Sequence, residues 1–298
     1  MFNQNFNYDN IIYYKRCNLK PIKGITKKIF ENFNIKKNND KWDLYIPCGY
    51  NNVHKEMHTI QVTNTYQKIY AIEKCDYIAS KNNLWMLLEK EFNRNEASKI
   101  MPETFVLNNF SHINLLKKTY FESNIGNNYF ILKKNIQKKK GILITNDYNI
   151  ISSSLNENYK VAQLFINNSF IINKRKLNLR IYCLITMLNN NLNTYFNDIG
   201  KCLYTEKDIS FDNSMNFNEH ITNSYKTDED IYKINPLTLD DFKNYLRNNN
   251  FNLNIFDQNL IDLYKKLNIV FSKYLIYSEI LRNNLKFQLF GMDLLVDE

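Results

Sequence analysis

Apolar positions change their period several times along the chain, and each change predicts a different element. Up to about residue 70, short apolar runs (IIYY, DLYIP) alternate with Asn- and Lys-rich turns, the pattern of a small α/β subdomain. Between Lys81 and Phe92 the run LWMLLEKEF has helical spacing, and the Pro102 break in IMPETFVL turns the chain from helix to strand. From Asn128 to Asn193 strands dominate: NYFILKK, GILIT, VAQLFI and LNLRIYCLITM, separated by polar turns. A polar segment from about Asp208 to Asp230 follows. Helical spacing then returns at Leu260, Tyr264, Leu267, Phe271 and Leu275, and KFQLFGMDLLVDE reads as a closing strand. The order predicts a mixed α/β (α+β) protein with largely antiparallel sheets and flanking helices. No repeat or Pro/Gly/Ser linker marks a boundary; the changes of period divide the chain at 1–70, 71–166 and 167–298.

Composition bounds the class. The 298 residues are 44% hydrophobic, enough for a sizeable core and against wholesale disorder. Asn is the most frequent residue while Gly falls to 6 and Pro to 4, a skew that reads as a base-composition bias. Lys and Arg number 39 against 30 Asp and Glu, giving a net charge of +9. Such an excess suits a nucleic acid, a phosphate-rich ligand or an acidic protein tail, and equally the solvated faces of a lysine-rich chain. The five cysteines are scattered, without C-x-x-C pairs, as a reducing compartment would have them. The N-terminus has no signal-peptide pattern and no segment approaches the roughly 18 apolar residues of a spanning helix, so a cytoplasmic protein without a membrane partner is expected.

Three segments could carry chemistry. On the strand KRKLNLRIYCLIT, alternation puts Lys176, Asn178 and Arg180 on one face and Leu177, Leu179 and Ile181 on the other; the cationic face binds phosphate or lies in water. In FILKKNIQKKKGILIT, Lys133, Lys138, Lys139 and Lys140 surround a turn ending at Gly141, which either folds over a triphosphate or forms a solvated hairpin tip. Asp293 and Asp297 share a strand face, as a Mg²⁺ site or as surface acids. In HKEMH, His54 and His58 are four apart, but the H-E-x-x-H order and a third ligand are missing, so the pattern by itself assigns no metal. The 21 Tyr and 20 Phe sit mostly at apolar-periodic positions, favouring core packing over stacking platforms for single-stranded nucleic acid.

Seven blocks in order (IMPETFVL, FILKK with KKKGILIT, VAQLFINNSFII, KRKLNLRIYCLIT, FNDIG, HITNSY and KFQLFGMDLLVDE) resemble the tubulin tyrosine ligase family over about 215 residues. The resemblance implies an ATP-grasp fold, with 71–166 and 167–298 as central and C-terminal ATP-grasp subdomains. It implies ATP and Mg²⁺ as cofactors. Position by position, it gives Lys133 to the phosphates together with the basic turn of Lys138 and Gly141. The hinge from Gln163 through Phe165 to Ile166 goes to adenine, and Lys176, Asn178, Thr222 and Asn223 to the nucleotide site. Arg180 falls near the transferred phosphoryl and acceptor carboxylate, His220 heads the HITNSY block as a candidate catalytic group, and Asp293 becomes a magnesium ligand. The reaction implied is ligation of tyrosine or glutamate to the acidic C-terminal tail of tubulin through an acyl phosphate, which needs no protein nucleophile. Localisation near microtubules or cytoskeleton follows from the same resemblance.

Departures from the family pattern are specific. Asn178 stands where the family has Asp, Lys139 where a second glycine is usual, and Leu203 where an arginine is expected, with Lys201 nearby. The family pattern continues beyond Glu298 to a strand bearing Glu-x-Asn that completes the magnesium site. Two readings follow: a working ligase, or a family member that holds nucleotide or tubulin without turnover. Binding of nucleic acid rests on charge alone.

Overall fold

A computed structural model describes residues 11–16, 21–49, 53–122, 128–136, 141–210, 215–222, 229–275 and 279–297. The N-terminal part runs β1 (Ile12–Arg16), α1 (Gly24–Asn32), β2 (Ile35–Lys37), β3 (Leu44–Ile46), α2 (Val53–Met57), β4 (Lys68–Ile69) and α3 (Cys75–Ala79). There follow α4 (Lys81–Ser98), β5 (Thr104–Val106), α5 (Phe110–Glu122), β6 (Phe130–Lys133), β7 (Ile142–Thr145), α6 (Tyr148–Ser153) and β8 (Val161–Leu164). The chain continues through β9 (Ile171–Ile172), β10 (Arg175–Leu188), β11 (Asn191–Phe196), β12 (Lys201–Tyr204) and α7 (Phe217–His220). A 3₁₀ turn (Glu229–Lys233), α8 (Leu239–Asn248), α9 (Leu253–Tyr274) and β13 (Lys286–Leu295) complete it. No helix among the described residues is long and apolar enough to cross a membrane.

The chain forms two compact units, neither continuous in sequence. The first takes residues 1–76, 184–195 and 271–289; the second takes 77–183, 196–270 and 290–298. In the first unit β1 lies parallel between β2 and β3, β3 pairs β4, and β4 pairs the start of β13 through Ile69 and Lys286. Its core gathers Trp42, Tyr45, Met57, Ile69 and Ala71, and the apolar run DLYIP supplies β3.

The second unit holds two antiparallel layers. One sheet has the order β5-β8-β6-β7 and buries Phe105, Phe130, Leu132 and Ala162 with Leu116 of α5 and Ile151 of α6. Because facing residues of an antiparallel pair share a face, Thr104, Ile131, Lys133 and Gln163 lie on its other side. In the second layer β10 pairs β9 and β12, and Leu177, Leu179 and Ile181 pack with Cys202, Tyr204 and Phe242 of α8. Lys176, Asn178 and Arg180 are thereby left on the opposite face, as alternation predicts.

Helix α4 starts where the periodicity places it and breaks at Asn93 (φ 62°), one residue past the predicted end, before running on to Ser98. Arg94 after the break bonds Glu89, Glu103 and the Thr104 carbonyl while its guanidinium lies 4.6 Å from the Phe105 ring centroid. Glu89 also meets the buried His112, whose other ring nitrogen accepts the Val106 amide. Cys75, Cys183 and Cys202 are buried and Cys183 and Cys202 are free thiols, but Cys48 is disulfide-bonded, so the cysteines are not uniformly free.

Candidate active site

Lys81, Lys133 and Arg180 of the second unit, from α4, β6 and β10, share one carboxylate, Asp293, and Lys176 lies on the same face of β10 as Arg180. Lys133, at the end of β6, gives its ammonium to the Gln163 side chain on β8, and Gln163 in turn donates to the Thr104 hydroxyl at 2.7 Å. Protein surrounds the Lys133 ammonium densely although part of the side chain meets solvent. Burial, reinforced by repulsion from Lys81 and opposed by Asp293, lowers its pKa from 10.5 to about 8. Lys81, the first residue of α4, is lowered by burial and held up by Asp293. Lys176 is 6% exposed, and burial lowers it to about 8; its ammonium lies 4.3 Å from the Phe165 ring centroid.

Arg180 faces the carboxylate. Its Nε and a terminal nitrogen bond the two oxygens of Asp293 on β13 at 2.5 and 2.9 Å, the planar fork that guanidinium offers and ammonium lacks. Gly291, two residues before Asp293, forms the floor under this arginine: a Cβ there would stand 3.2 Å from Arg180 Cδ. The Asn178 amide donates to the Thr222 hydroxyl at 2.9 Å, and Thr222 bridges Thr205. Thr222 follows α7, which Asn216 caps and whose buried Glu219 is fastened to the Ser210 amide and hydroxyl. The His220 ring stands edge-on to Phe165, 5.3 Å between centroids.

Of the expected site residues, Gln163, Lys133, Asp293 and Arg180 are therefore linked through Asp293, while Asn178 with Thr222, and Lys176 with Phe165 and His220, form separate contacts reached from the same face of β10. Lys138 and Asn223 lie outside the described residues. Gly141 has φ +71° and its carbonyl accepts the Lys134 amide, so glycine is required there by the turn; a Cβ would strike the Lys134 side chain. In the hinge, Phe165 N–H is already spent on the Tyr129 carbonyl and Ile166 C=O accepts the Ser169 hydroxyl. The Phe165 amide is therefore not available to pair with a base. Leu203 is buried and faces Asn178 in register, while Lys201 holds its ammonium 5.2 Å from the Tyr232 ring centroid. Asp297 is drawn into a bridge with Ser169.

Lys81, Thr104 and Gly291 were not singled out by sequence. For Lys81 there was a signal: a cation in the first turn opposes the helix dipole, an arrangement a helix does not adopt for its own stability.

Three lysines whose pKa is lowered by burial, with a carboxylate acting on two of them, fit a polyphosphate carrying Mg²⁺. An anion would favour their charged forms, and Mg²⁺ characteristically takes one or two carboxylates, phosphate oxygens and water. Two antiparallel layers with such a face define an α/β protein of the ATP-grasp type. The chain belongs to the tubulin-tyrosine ligase family, whose sequence model matches residues 58–298. That membership places it among ATP-dependent ligases, a class that uses ATP and Mg²⁺. No curated protein matches the sequence.

Proposed function

We propose that the protein is an ATP- and Mg²⁺-dependent ligase that joins tyrosine or glutamate to the acidic C-terminal tail of tubulin. The observation that carries this reading is the forked Arg180–Asp293 pair, whose carboxylate also acts on Lys133 and Lys81, with the buried Lys176 on the same face of β10. Bound ATP with Mg²⁺ supplies the phosphoryl group that activates the acceptor carboxylate. Lys133, Lys81 and Lys176 bind and orient the phosphates, and Asp293 is the one carboxylate of this group available to a cation. Arg180, released from Asp293 when a cation takes its place, can fork a phosphoryl and a carboxylate oxygen together. Stabilising charge that develops there is worth most in a site shielded from water. The net charge of +9 supports an acidic substrate.

Incorporation of labelled tyrosine or glutamate into tubulin tests the proposal. Arg180→Lys keeps the charge but not the fork, so incorporation should fall by about 10²-fold, the effect typical of losing one transition-state donor. ATP should still raise the melting temperature of this variant. Absence of incorporation by the wild-type chain with either amino acid would overturn the ligase reading.

A second reading, a protein that holds nucleotide or tubulin without turnover, draws on Asn178 and Leu203. The Asn178 amide is engaged with Thr222 where the family carries Asp, and Leu203 is buried apolar surface where the family carries arginine. Asn178→Asp separates the two: activity equal or raised supports turnover.

A further inference from the structure

We propose that His54, His58 and Glu73 bind a divalent transition-metal ion of the zinc class, in a site built from the first unit alone. Their ligand atoms all lie within 4.8 Å of one another. The four-residue spacing brings the two histidines to one side of α2 and its exit, with ring centroids 4.6 Å apart. Glu73 arrives from beyond β4. Its side chain is only 8% exposed and one carboxylate oxygen stands 2.6 Å from His54 Nδ1.

The other oxygen points to a missing ligand. Glu73 Oε2 is buried with no hydrogen-bond partner, a state that is costly for any polar group and more so for a charged one. The nearby buried cation, Lys286, does not relieve it: the Lys286 ammonium donates to the Ile280 carbonyl at 3.1 Å, and Glu73 feels it only through space. Glu56, which lies between the histidines in sequence, is turned away to the Tyr45 hydroxyl and the Cys48 amide. It is therefore neither a ligand nor a base for a bound water, which sets this arrangement apart from an H-E-x-x-H site.

Two imidazole nitrogens and one carboxylate oxygen suit Zn²⁺ or Co²⁺; Mg²⁺ and Ca²⁺ prefer oxygen alone. Three protein ligands leave the fourth tetrahedral position to water, and both histidines are exposed enough to admit ion and water. Metal–ligand bonds of about 2.0–2.1 Å set tetrahedral ligand atoms about 3.3 Å apart. The His54–Glu73 contact has to open by about 0.7 Å, the metal replacing the shared proton.

The experiment is a titration of chelator-stripped full-length protein with Co²⁺, read by visible absorption and by the melting temperature. One equivalent should develop the intense bands of four-coordinate Co²⁺, bleach on addition of Zn²⁺, and raise the melting temperature. His58→Ala, at an exposed position, should fold and lose both signals; Glu73→Gln should lose them too, with circular dichroism reporting whether its fold is kept. Asp293→Asn should keep them, since it removes the carboxylate proposed to hold magnesium. Failure of the wild-type protein to bind stoichiometrically, or bands undiminished in folded His58→Ala, would overturn the proposal.

Discussion

Single lysines carry much of the site's electrostatics. Lys133 and Lys176 titrate near 8 in the folded chain, lowered first by burial, and at 10.5 when unfolded. Between those values the unfolded chain holds more protons, so raising pH through this window stabilises the free protein. A polyphosphate needs the protonated ammonium groups, so the same change weakens its binding. Melting curves with and without ATP should therefore diverge most near pH 7 and converge towards pH 9.5, although the free protein itself gains stability. A gap that widens with pH would refute the assignment of these lysines to phosphate. The facing of Lys176, Asn178 and Arg180 was legible because strand alternation is a local rule. Glu73 was not: what brings it to its partners is tertiary, and no spacing in the sequence announces it, whereas Lys81 showed only as a cation misplaced at a helix start.

Elements here turn corners with asparagine. Among the described residues, seven of the ten non-glycine positions at positive φ are Asn, in a chain with only six glycines. Asn173 and Lys174 form the two-residue link between β9 and β10, and Asn189 with Asn190 that between β10 and β11, all at positive φ as tight hairpins require. The asparagine excess, which composition alone reads as a bias, thus has a conformational use. Lys174 is the poorer occupant, since a lysine has no short polar chain to ease the left-handed region. Lys174→Gly should raise stability by about 1 kcal/mol, seen as a higher denaturation midpoint at unchanged slope. An unchanged midpoint would show that the lysine is held at no cost. The long strands and α9 were readable by period, whereas the two-residue β9 is too short to carry one. Helix α8 could have been found, because Thr238 and Asp241 form a capping box in both sequence and structure.

At the scale of the molecule, the +9 charge sets how an acidic partner is met. If the proposed tubulin tail is the substrate, affinity should fall as salt rises and vanish once the tails are cleaved, since exposed charges are screened beyond about 10 Å at 0.1 M salt. Equal binding of tail-less tubulin would refute the electrostatic account.

The sheet of the first unit has a consequence for synthesis. β4 pairs with β13 through Ile69 and Lys286, and the Asn284 amide reaches back to the carbonyls of Asn64 and Gln67, so these early strands finish their sheet with residues 217 positions further along the chain. At about 5–20 residues per second, a ribosome needs some tens of seconds to bridge that interval. Throughout it, β4 waits with an unpaired edge, the state in which strands recruit wrong neighbours. The second unit has most of its sequence available first, and the first-made segment is completed last. A chaperone that shields nascent β edges should therefore determine the yield of this protein more than its final stability does.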